Sequence, residues 1–570
     1  MIIKPSFNKA ALDILKDRYL WRDDEGKPVE TPEQMLVRIA NHVSSSEKTT
    51  PMQYMWADEY YEVMAKLLFL PNSPTIMNAG RPAPHGQLAA CFVIGIEDSM
   101  ESICEAIRKQ MLIHKSGGGT GFNFSNLRSS GAKVNSTNGR ASGPISFMGL
   151  FDKATETVQQ GGMRRGANMG ILNIDHPDIR EFIHCKDKDG TITNFNISVG
   201  IFDDFMEKAQ ANPKGEEAAL LLEIADCAWR TGDPGIIFLD AINRGNTTPN
   251  LGPLMSTNPC GESPLYPNEA CNLGSINLAR MVKNGEFDYT LLKEVATTAT
   301  RFLDSVIDVN HYPLPEIADA VKHTRKIGLG VMGWADLLFQ LRIPYGSDES
   351  LVLADKIMGT IKAASLAASI ALGEEKGIPE DLRHLGRRNA TLTCIAPTGT
   401  IALLADCSSG IEPLFALEHT RVRTQIDGTK VVMKQVNRYY EKAMKENTPA
   451  DVLKDVFVTS HDVKPLDHVR TQGAFQAHTD LAVSKTINLP HDSSVQDVLD
   501  SYTLAWKEGC KGITIYRDGS KSIQVLYRKE DETAQKPTAE EAKEESPERE
   551  PVPVLAGTHA KPLKLMLRRK

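Results

Sequence analysis

The sequence of 570 residues lacks the features that would indicate a membrane or a nucleic acid as partner. No apolar run reaches the roughly 18 residues that a membrane-spanning helix needs, and residues 1–6 (MIIKPS) contain no signal-peptide core. The formal net charge of −8 offers no overall positive charge to a nucleic acid or to an anionic membrane surface. We therefore expect a cytoplasmic protein with no membrane or nucleic-acid partner, although local sites for phosphorylated small ligands stay possible.

Cysteine is present nine times, but no two cysteines have C-x-x-C spacing and no framework pattern is visible. An odd number of scattered cysteines is typical of a reducing compartment, where a disulfide is catalytic rather than structural. The spacing also predicts no structural metal site.

The chain is long enough for a large core, and 41% of its residues are hydrophobic. Residues 1–70 read as helical, with a capping box predicted at Thr31–Gln34. From 71 to 525 strand-like runs, such as residues 91–94, 197–201 and 512–516, alternate with helical periods. This alternation predicts an α/β domain with mostly parallel strands. Residues 526–570 are rich in Glu, Lys and Pro and are expected to be a disordered charged linker.

The most informative stretch is residues 258–262 (NPCGE). In extended backbone Asn258, Cys260 and Glu262 would point to one side, while Pro259 and Gly261 disfavour a helix and allow a tight loop tip. A cysteine in such a turn is more often a buried small hydrophobe than a reactive group. The stretch alone leaves both interpretations open.

Three further loops could bind a ligand. Residues 116–121 (SGGGTG) allow close backbone approach but lack the ending of a Walker loop. Arg164 and Arg165, in the loop 161–168, suit a phosphate or carboxylate but could equally be solvated. Residues 397–400 (PTGT) lead into a helical period and form either an anion site or an ordinary Thr N-cap.

Several separated segments, taken in order, resemble the ribonucleotide reductase family, most closely the dimeric class II catalytic subunits that depend on adenosylcobalamin. They are LKDRYL at 15–20, PNSPT at 71–75, NPCGE at 258–262, ACNLGSIN at 270–277, PTGT at 397–400 and GCKGITIYRDG at 509–519. The resemblance implies a ten-stranded α/β barrel over residues 71–525, preceded by a helical region.

The resemblance also implies a catalytic set of residues. Cys260 would carry a thiyl radical and abstract the ribose 3'-hydrogen, Glu262 would act as general base, and Asn258 would hydrogen-bond the substrate. Cys91 and Cys271 would supply two electrons and end as a disulfide, which requires them to lie within disulfide reach.

Binding residues follow from the same resemblance. Likeness to the dimeric type favours a diphosphate over a triphosphate as the ribonucleotide substrate. The implied contacts to this substrate are Ser73, Ala90, Cys91, Gly119, Asn258, Glu262, Pro397, Thr398, Gly399, Thr400 and Ile401. The implied contacts to a deoxynucleotide or ATP specificity effector are Asp98, Ser99, Met100, Arg128, Arg164 and Arg165. Helical periods around 99–115 and 146–160 would form the homodimer interface.

The class assignment uses absences as well. There is no glycyl-radical motif near the C-terminus, as class III would need, and no D-x-H-x-x-G motif to replace the lower ligand of cobalamin. No segment corresponds to an ATP-cone domain, so overall control by ATP and dATP is not expected. A class I large subunit that needs a separate radical-generating protein, and a silent nucleotide-binding homologue, remain as alternatives.

One departure from the family concerns the reductant. Family members re-reduce the active-site disulfide through cysteines on a C-terminal tail, but the last cysteine here is Cys510. Residues 552–558 (VPVLAGT) resemble the start of a further extension that then breaks off. We expect a truncated chain or one product of a split gene, reduced by a thioredoxin-like protein or by a separate chain that carries the tail cysteines.

Overall fold

The computed structural model of the protein describes residues 3–81, 86–135, 138–158, 166–188, 190–424 and 430–520. The compact unit that holds the candidate site runs from the N-terminal residues to Glu418 and continues from Val436. A second unit contains most of a two-stranded hairpin. The linker predicted for 526–570 and the arginines Arg164 and Arg165 lie outside the described residues.

The α-helices of the described residues are distributed along the whole chain. They are α1 (Lys9–Ile14), α2 (Pro32–Ser44), α3 (Thr50–Ala65), α4 (Ser73–Asn78), α5 (Met100–Lys115), α6 (Pro144–Thr157), α7 (Ile179–Ile183), α8 (Asp203–Ala211), α9 (Glu216–Thr231), α10 (Leu239–Arg244), α11 (Tyr289–Val309), α12 (Pro315–Thr324), α13 (Trp334–Leu341), α14 (Asp348–Lys376), α15 (Gly399–Ala405), α16 (Arg438–Lys445), α17 (Ala450–Val456), α18 (Pro465–Gln476) and α19 (Val495–Lys507).

The β-strands of the described residues alternate with these helices. They are β1 (Phe69–Pro71), β2 (Cys91–Val93), β3 (Gly119–Asn123), β4 (Lys133–Val134), β5 (Gly139–Arg140), β6 (Asn168–Asn173), β7 (Phe195–Ile201), β8 (Gly235–Phe238), β9 (Ser256–Thr257), β10 (Pro264–Leu265), β11 (Glu269–Asn277), β12 (Val282–Lys283), β13 (Glu286–Phe287), β14 (Ile327–Met332), β15 (Glu418–Thr424), β16 (Lys430–Val436), β17 (Thr486–Leu489) and β18 (Gly512–Arg517). Strands β15 and β16 form the hairpin of the second unit.

A ten-stranded sheet organises the large unit. Its order is β1-β11-β2-β3-β6-β7-β8-β18-β17, and β14 also pairs with β11. Most neighbours are parallel, whereas β1–β11, β2–β11 and β8–β18 are antiparallel. Isolated bridges Leu329↔Thr393 and Ile395↔Val483 connect β14 to the segment before β17 and close the sheet into a barrel. The predicted ten-stranded α/β barrel is confirmed.

Local sequence signals explain how the elements form. Thr31 and Gln34 form the predicted capping box at the start of α2: the Gln34 N–H donates to Thr31 Oγ1, and the Thr31 N–H donates to Gln34 Oε1. All nine residues of β11 are buried, as expected for a strand covered on both faces. The helical period predicted around 146–160 ends earlier, because α6 stops at Thr157 and Val158 leaves the helical region of backbone space.

A buried ion cluster fixes the strands that lead to the site. Asp304 on α11 is fully buried and accepts hydrogen bonds from Arg325, Arg388 and Asn389, each at 2.9 Å. Arg325 precedes β14, and the other two residues precede the bridged segment 391–395. One carboxylate therefore holds the start of two neighbouring barrel segments. None of the described helices is long and apolar enough to cross a membrane.

Candidate active site

The hairpin of β9 and β10 lies inside the barrel, because its loop contacts the barrel wall from several sides. Asn196 of β7 donates from Nδ2 to the carbonyl oxygen of Pro259 at 2.8 Å. The Ala482 N–H donates to the carbonyl oxygen of Glu262 at 2.8 Å. A Cβ at Gly121 of β3 would lie 1.6 Å from the backbone of β9. The glycine-rich loop thus allows the hairpin, and not only a ligand, to approach closely.

The loop tip is a tight turn rather than extended backbone. The Gly261 N–H donates to the carbonyl oxygen of Asn258 at 3.0 Å, and Gly261 has a φ of +80°, which glycine adopts without strain. The side chains of Asn258, Cys260 and Glu262 nevertheless line one cavity. The turn brings together the three groups that an extended strand was expected to align.

Cys91 of β2 connects this loop to the barrel wall. Asn258 donates from Nδ2 to Cys91 Sγ at 3.0 Å, and the Cys91 thiol lies 3.7 Å from Glu262 Oε1. Asn258 Oδ1 in turn accepts from the Ser263 N–H at 2.9 Å, which fixes the orientation of the amide. The Cys91 thiol is therefore in contact with both an amide and a carboxylate.

Cys271 lies directly opposite Cys91. The two residues are partners in the antiparallel register of β11 and β2. Directly opposed residues in antiparallel strands have Cα atoms about 4.5–5.5 Å apart, which is within the range of a disulfide. No disulfide joins any two of the nine cysteines, all of which lie within the described residues.

Burial keeps both of these thiols protonated. Burial raises the pKa of Cys91 well above its ordinary value, and the nearby Glu262 carboxylate adds to the shift. Burial also raises the pKa of Cys271, although Lys326 partly offsets it. Cys260, in contrast, is exposed. The site combines an accessible thiol with two dry, protonated thiols, which suits hydrogen-atom transfer better than ionic chemistry.

The cavity beside the loop has a volume of about 320 Å³, within the usual range of small-molecule sites. The predicted site residues that line it are Ser73, Ala90, Cys91, Gly119, Asn258, Cys260, Glu262, Pro397, Thr398, Gly399, Thr400 and Ile401. Cys271 does not line it and lies beside Cys91 as its cross-strand partner. The structure thus gathers the predicted catalytic and substrate residues, apart from Cys271, around one cavity.

The turn at 397–400 is formed differently from an N-cap. Thr398 has a φ of +56°, and its Oγ1 accepts from the Gly410 N–H at 2.6 Å instead of capping α15. Pro397 and Gly399 are exposed, and a Cβ at Gly399 would meet no atom within 4 Å. The alternative of an ordinary Thr N-cap is therefore wrong, and the turn faces open space in the cavity.

The predicted effector residues lie elsewhere, at the start of α5. Arg128 Nε lies 2.6 Å from Asp98 Oδ2. Ser99 caps α5 by accepting from the Ser102 N–H at 3.1 Å, and Met100 is 56% exposed. The structure brings these four predicted residues together.

Sequence reasoning missed some residues of the cavity. Arg18 and Tyr19 line it, and the Tyr19 hydroxyl is 2.7 Å from Ser73 Oγ. Cys394 lies in the same apolar cluster as Cys91 and Cys271, and its thiol donates to the Glu262 carbonyl oxygen at 3.4 Å. Arg18 and Tyr19 belong to the segment LKDRYL, and Cys394 lies three residues before PTGT. Only the tertiary contacts place these residues at the site.

Comparison with known proteins shows the family to which the chain belongs. The ribonucleotide reductase barrel domain matches residues 89–218, 214–384 and 378–516, and the all-alpha domain of the same family matches residues 5–84. A vitamin B12-dependent ribonucleoside-diphosphate reductase of Thermoplasma acidophilum is 43% identical, over 90% of this chain and 79% of the relative. One of Mycobacterium tuberculosis (strain CDC 1551) is 42% identical, over 91% of this chain and 80% of the relative.

A solved structure supports the fold. The class Id ribonucleotide reductase alpha subunit of Actinobacillus ureae superposes with a TM-score of 0.77 at 24% identity, covering 90% of this chain and 97% of that one. With domain matches over most of the chain and relatives above 40% identity, the protein belongs to the ribonucleotide reductase family, as a class II catalytic subunit.

Proposed function

We propose that this chain reduces ribonucleoside diphosphates to 2'-deoxyribonucleoside diphosphates by radical chemistry that starts on Cys260. The observation that carries the proposal is the arrangement of three thiols. Exposed Cys260 and buried Cys91 line the same cavity, and Cys271 is the cross-strand partner of Cys91. One thiol can thus exchange a hydrogen atom with substrate while the other two supply electrons.

The chemistry balances with these groups alone. The Cys260 thiyl radical takes the hydrogen atom from C3' of the ribose and later returns it. The 2'-hydroxyl leaves as water, and Cys91 and Cys271 provide two hydrogens and two electrons as they form a disulfide. Because Cys91 lines the cavity and Cys271 does not, Cys91 is the thiol that faces the substrate.

Glu262 and Asn258 assist the loss of water. Glu262 takes the proton of the 3'-hydroxyl as general base. Asn258, held by the Ser263 N–H, donates its amide hydrogens toward Cys91 and the reacting oxygens. Ser73, Ala90 and Gly119 border the sugar, and the turn at 397–401 takes the phosphates.

The relatives' names support a cobalamin cofactor and a diphosphate substrate for this chain. Adenosylcobalamin, when bound, would supply the radical chemistry needed to form the thiyl radical on Cys260. The residues fit such a group, since Cys260 is the exposed thiol of the site and is reachable by a bulky cofactor, whereas Cys91, Cys271 and Cys394 are buried. The loop tip at Pro259–Gly261 is the part of the chain that would meet it.

The first experiment is CDP reduction by the purified chain with dithiothreitol and adenosylcobalamin as the only other components. We expect dCDP. If reduction instead requires a second protein and is independent of adenosylcobalamin, the class I alternative holds. Comparing CDP with CTP at equal concentration tests the preference for diphosphates.

Cys260→Ser provides the control. The variant should bind deoxynucleotides normally but give no dCDP, because serine cannot form the reactive thiyl radical. Reduction by Cys260→Ser well above the level without enzyme would overturn the assignment of the radical to this residue.

The effector role of Asp98, Ser99, Met100 and Arg128, together with Arg164 and Arg165, is also part of the proposal. Gln110 on α5 supports it, because its Nε2 donates to Thr155 of α6 at 2.6 Å and to Asn168 at 2.9 Å. Asn168 begins β6, just after the loop that contains the arginines. A ligand at the start of α5 would therefore bind to the helix whose Gln110 contacts Asn168. Asn168 directly follows Ala167, which lines the cavity together with Gly119.

A homodimer would use the same helices. Met100, Met111 and Leu150 on α5 and α6 are 56%, 38% and 53% exposed. These apolar side chains suit burial against a second copy. A cytoplasmic location, where cysteines stay reduced, belongs to the same proposal. A thioredoxin-like protein or a separate chain with tail cysteines would reduce the Cys91–Cys271 disulfide.

A further inference from the structure

A second group of reactive side chains lies away from the cavity, between α9 and the segment that follows α7. Within the part of the chain that the structure describes, possible ligand atoms of His184, Asp187 and Cys227 all lie within 4.8 Å of one another. His184 and Asp187 follow α7, and Cys227 is on α9. None of the three lines the active-site cavity.

Asp187 stands between the other two residues. Cys227 Sγ is 3.2 Å from Asp187 Oδ1, and His184 Nδ1 is 2.9 Å from Asp187 Oδ2. In a tetrahedral zinc site, bonds of about 2.0–2.3 Å place neighbouring ligand atoms roughly 3.2–3.7 Å apart. An expansion of a few tenths of an ångström would admit a Zn²⁺ ion, and sulfur, imidazole nitrogen and carboxylate oxygen are the donors that zinc prefers.

The surroundings complete the arrangement. His184 Nε2 is 3.0 Å from Glu223 Oε1, and Glu223 is itself held by Arg180. A zinc-ligating histidine in proteins usually donates its other ring N–H to such a carboxylate, which fixes the ring orientation. Arg230 Nη1 lies 3.3 Å from Asp187 Oδ1. Asp187 can keep this ion pair through Oδ1 while its other oxygen binds the ion.

Burial separates the two sides of the cluster. Cys227 is 1% exposed, whereas the side chains of His184 and Asp187 are 39% and 33% exposed. An ion can thus enter from solvent and bind a thiolate that is shielded from it. The Cys227 thiol donates to Asp187 Oδ1 and to the carbonyl oxygen of Ile183, each at 3.2 Å, and so forms the buried end of the cluster.

We propose that His184 Nδ1, Asp187 and Cys227 Sγ bind one Zn²⁺ ion, with solvent as the fourth ligand and Glu223 orienting His184. Binding displaces the thiol proton of Cys227 and leaves the imidazole proton on Nε2, directed at Glu223. The ion would join α9 to the connection between β6 and β7, outside the active-site cavity.

The test measures zinc binding by the full chain after treatment with a chelator and without cobalamin. The parent is the Cys91→Ser/Cys271→Ser double variant, which removes the active-site thiol pair as a competing site. Equilibrium dialysis against zinc chloride with metal analysis should find one zinc per parent chain. Cys104→Ser, which removes an exposed cysteine outside the cluster, is the matched control and should bind equally well.

Adding Cys227→Ser or His184→Ala should abolish this binding, and adding Glu223→Gln should weaken it about 10- to 100-fold. His184 is partly exposed, so its replacement should preserve the fold, which circular dichroism verifies. Co²⁺ should give a thiolate charge-transfer band in the parent that is lost in Cys227→Ser. Failure of the parent to bind zinc, or equal zinc affinity in His184→Ala, Cys227→Ser and Cys104→Ser, would overturn the proposal.

Discussion

Cys91 and Cys271 face each other as direct partners in the antiparallel pair of β2 and β11. Their positions make a disulfide possible without movement of either strand. Only Cys91 lines the cavity, so substrate contact and electron reserve are divided between two residues.

Cys91→Ser and Cys271→Ser should each lose steady-state dCDP formation, because neither retains a dithiol. In the wild type without added reductant, a single turnover should convert two thiols per chain into a disulfide that peptide mass spectrometry locates between residues 91 and 271. Cys394→Ser is the matched control, since Cys394 lies in the same buried cluster. A disulfide that includes Cys394 in place of either partner would contradict the assignment.

Asn258→Ala should lower kcat by roughly 10²-fold, the usual cost of removing one preorganised hydrogen-bond donor. The variant loses the 3.0 Å contact with Cys91 Sγ. Ser263→Ala is the control, because it keeps the backbone N–H that orients Asn258. Steady-state kinetics should give kcat for both variants. Equal losses of kcat would mean that the loop conformation, and not the Asn258 amide, supports catalysis.

Glu262→Gln should lower kcat roughly 10²- to 10⁴-fold, since general bases contribute about that much. The loop should keep its conformation, because Ala482 and Cys394 contact the backbone oxygen of Glu262 rather than its carboxylate. CDP binding measured by calorimetry should therefore be retained. Wild-type kcat in this variant would show that another group removes the 3'-hydroxyl proton.

Arg128→Ala should abolish the effect of deoxynucleotide effectors on the choice between CDP and other substrates, while basal CDP reduction continues. The guanidinium is partly exposed and contacts Asp98 at the start of α5. Arg108→Ala is matched, because Arg108 also forms an exposed pair, with Glu105 at 2.7 Å on the same helix. Substrate competition assays with and without dATP and dTTP provide the measurement; an equal response of the two variants would argue against an effector site at Arg128.

Asp304→Asn should destabilise the chain by about 3–5 kcal/mol, the typical cost of breaking a buried ion pair. Burial raises the pKa of Asp304, but Arg325 and Arg388 outweigh it and hold the pKa below its ordinary value. The stabilisation is therefore present above the unfolded pKa of about 3.9 and is lost as pH falls through the lower folded pKa. Urea unfolding between neutral and acidic pH should show this loss in the wild type only.

Asp308→Asn is the control for that measurement. Asp308 pairs with Arg325 at 2.8 Å, but its side chain is 31% exposed. Its replacement should cost about 0–1 kcal/mol, as for a solvent-accessible pair. Similar losses in the two variants would indicate that burial of Asp304 is not what makes its interactions strong.

The sequence by itself determined the features that depend on neighbouring residues. The capping box at Thr31–Gln34 follows from a local pattern, and the structure confirms it. The strand-like runs predicted at 91–94, 197–201 and 512–516 form strands at 91–93, 195–201 and 512–517. The motif at 258–262 predicted a tight loop, because Pro259 restricts the backbone and Gly261, two residues later, allows a positive φ. The ten-stranded barrel, in contrast, was expected from the family resemblance.

Tertiary structure decided which distant residues meet. The strand register places Cys91 opposite Cys271, and the hairpin inside the barrel brings Asn258 and Glu262 to Cys91. Long-range pairing also brings Tyr19 to Ser73, and Cys227 to the segment after α7. No local pattern encodes such contacts, because they depend on how strands and helices far apart in the chain pack and register against one another.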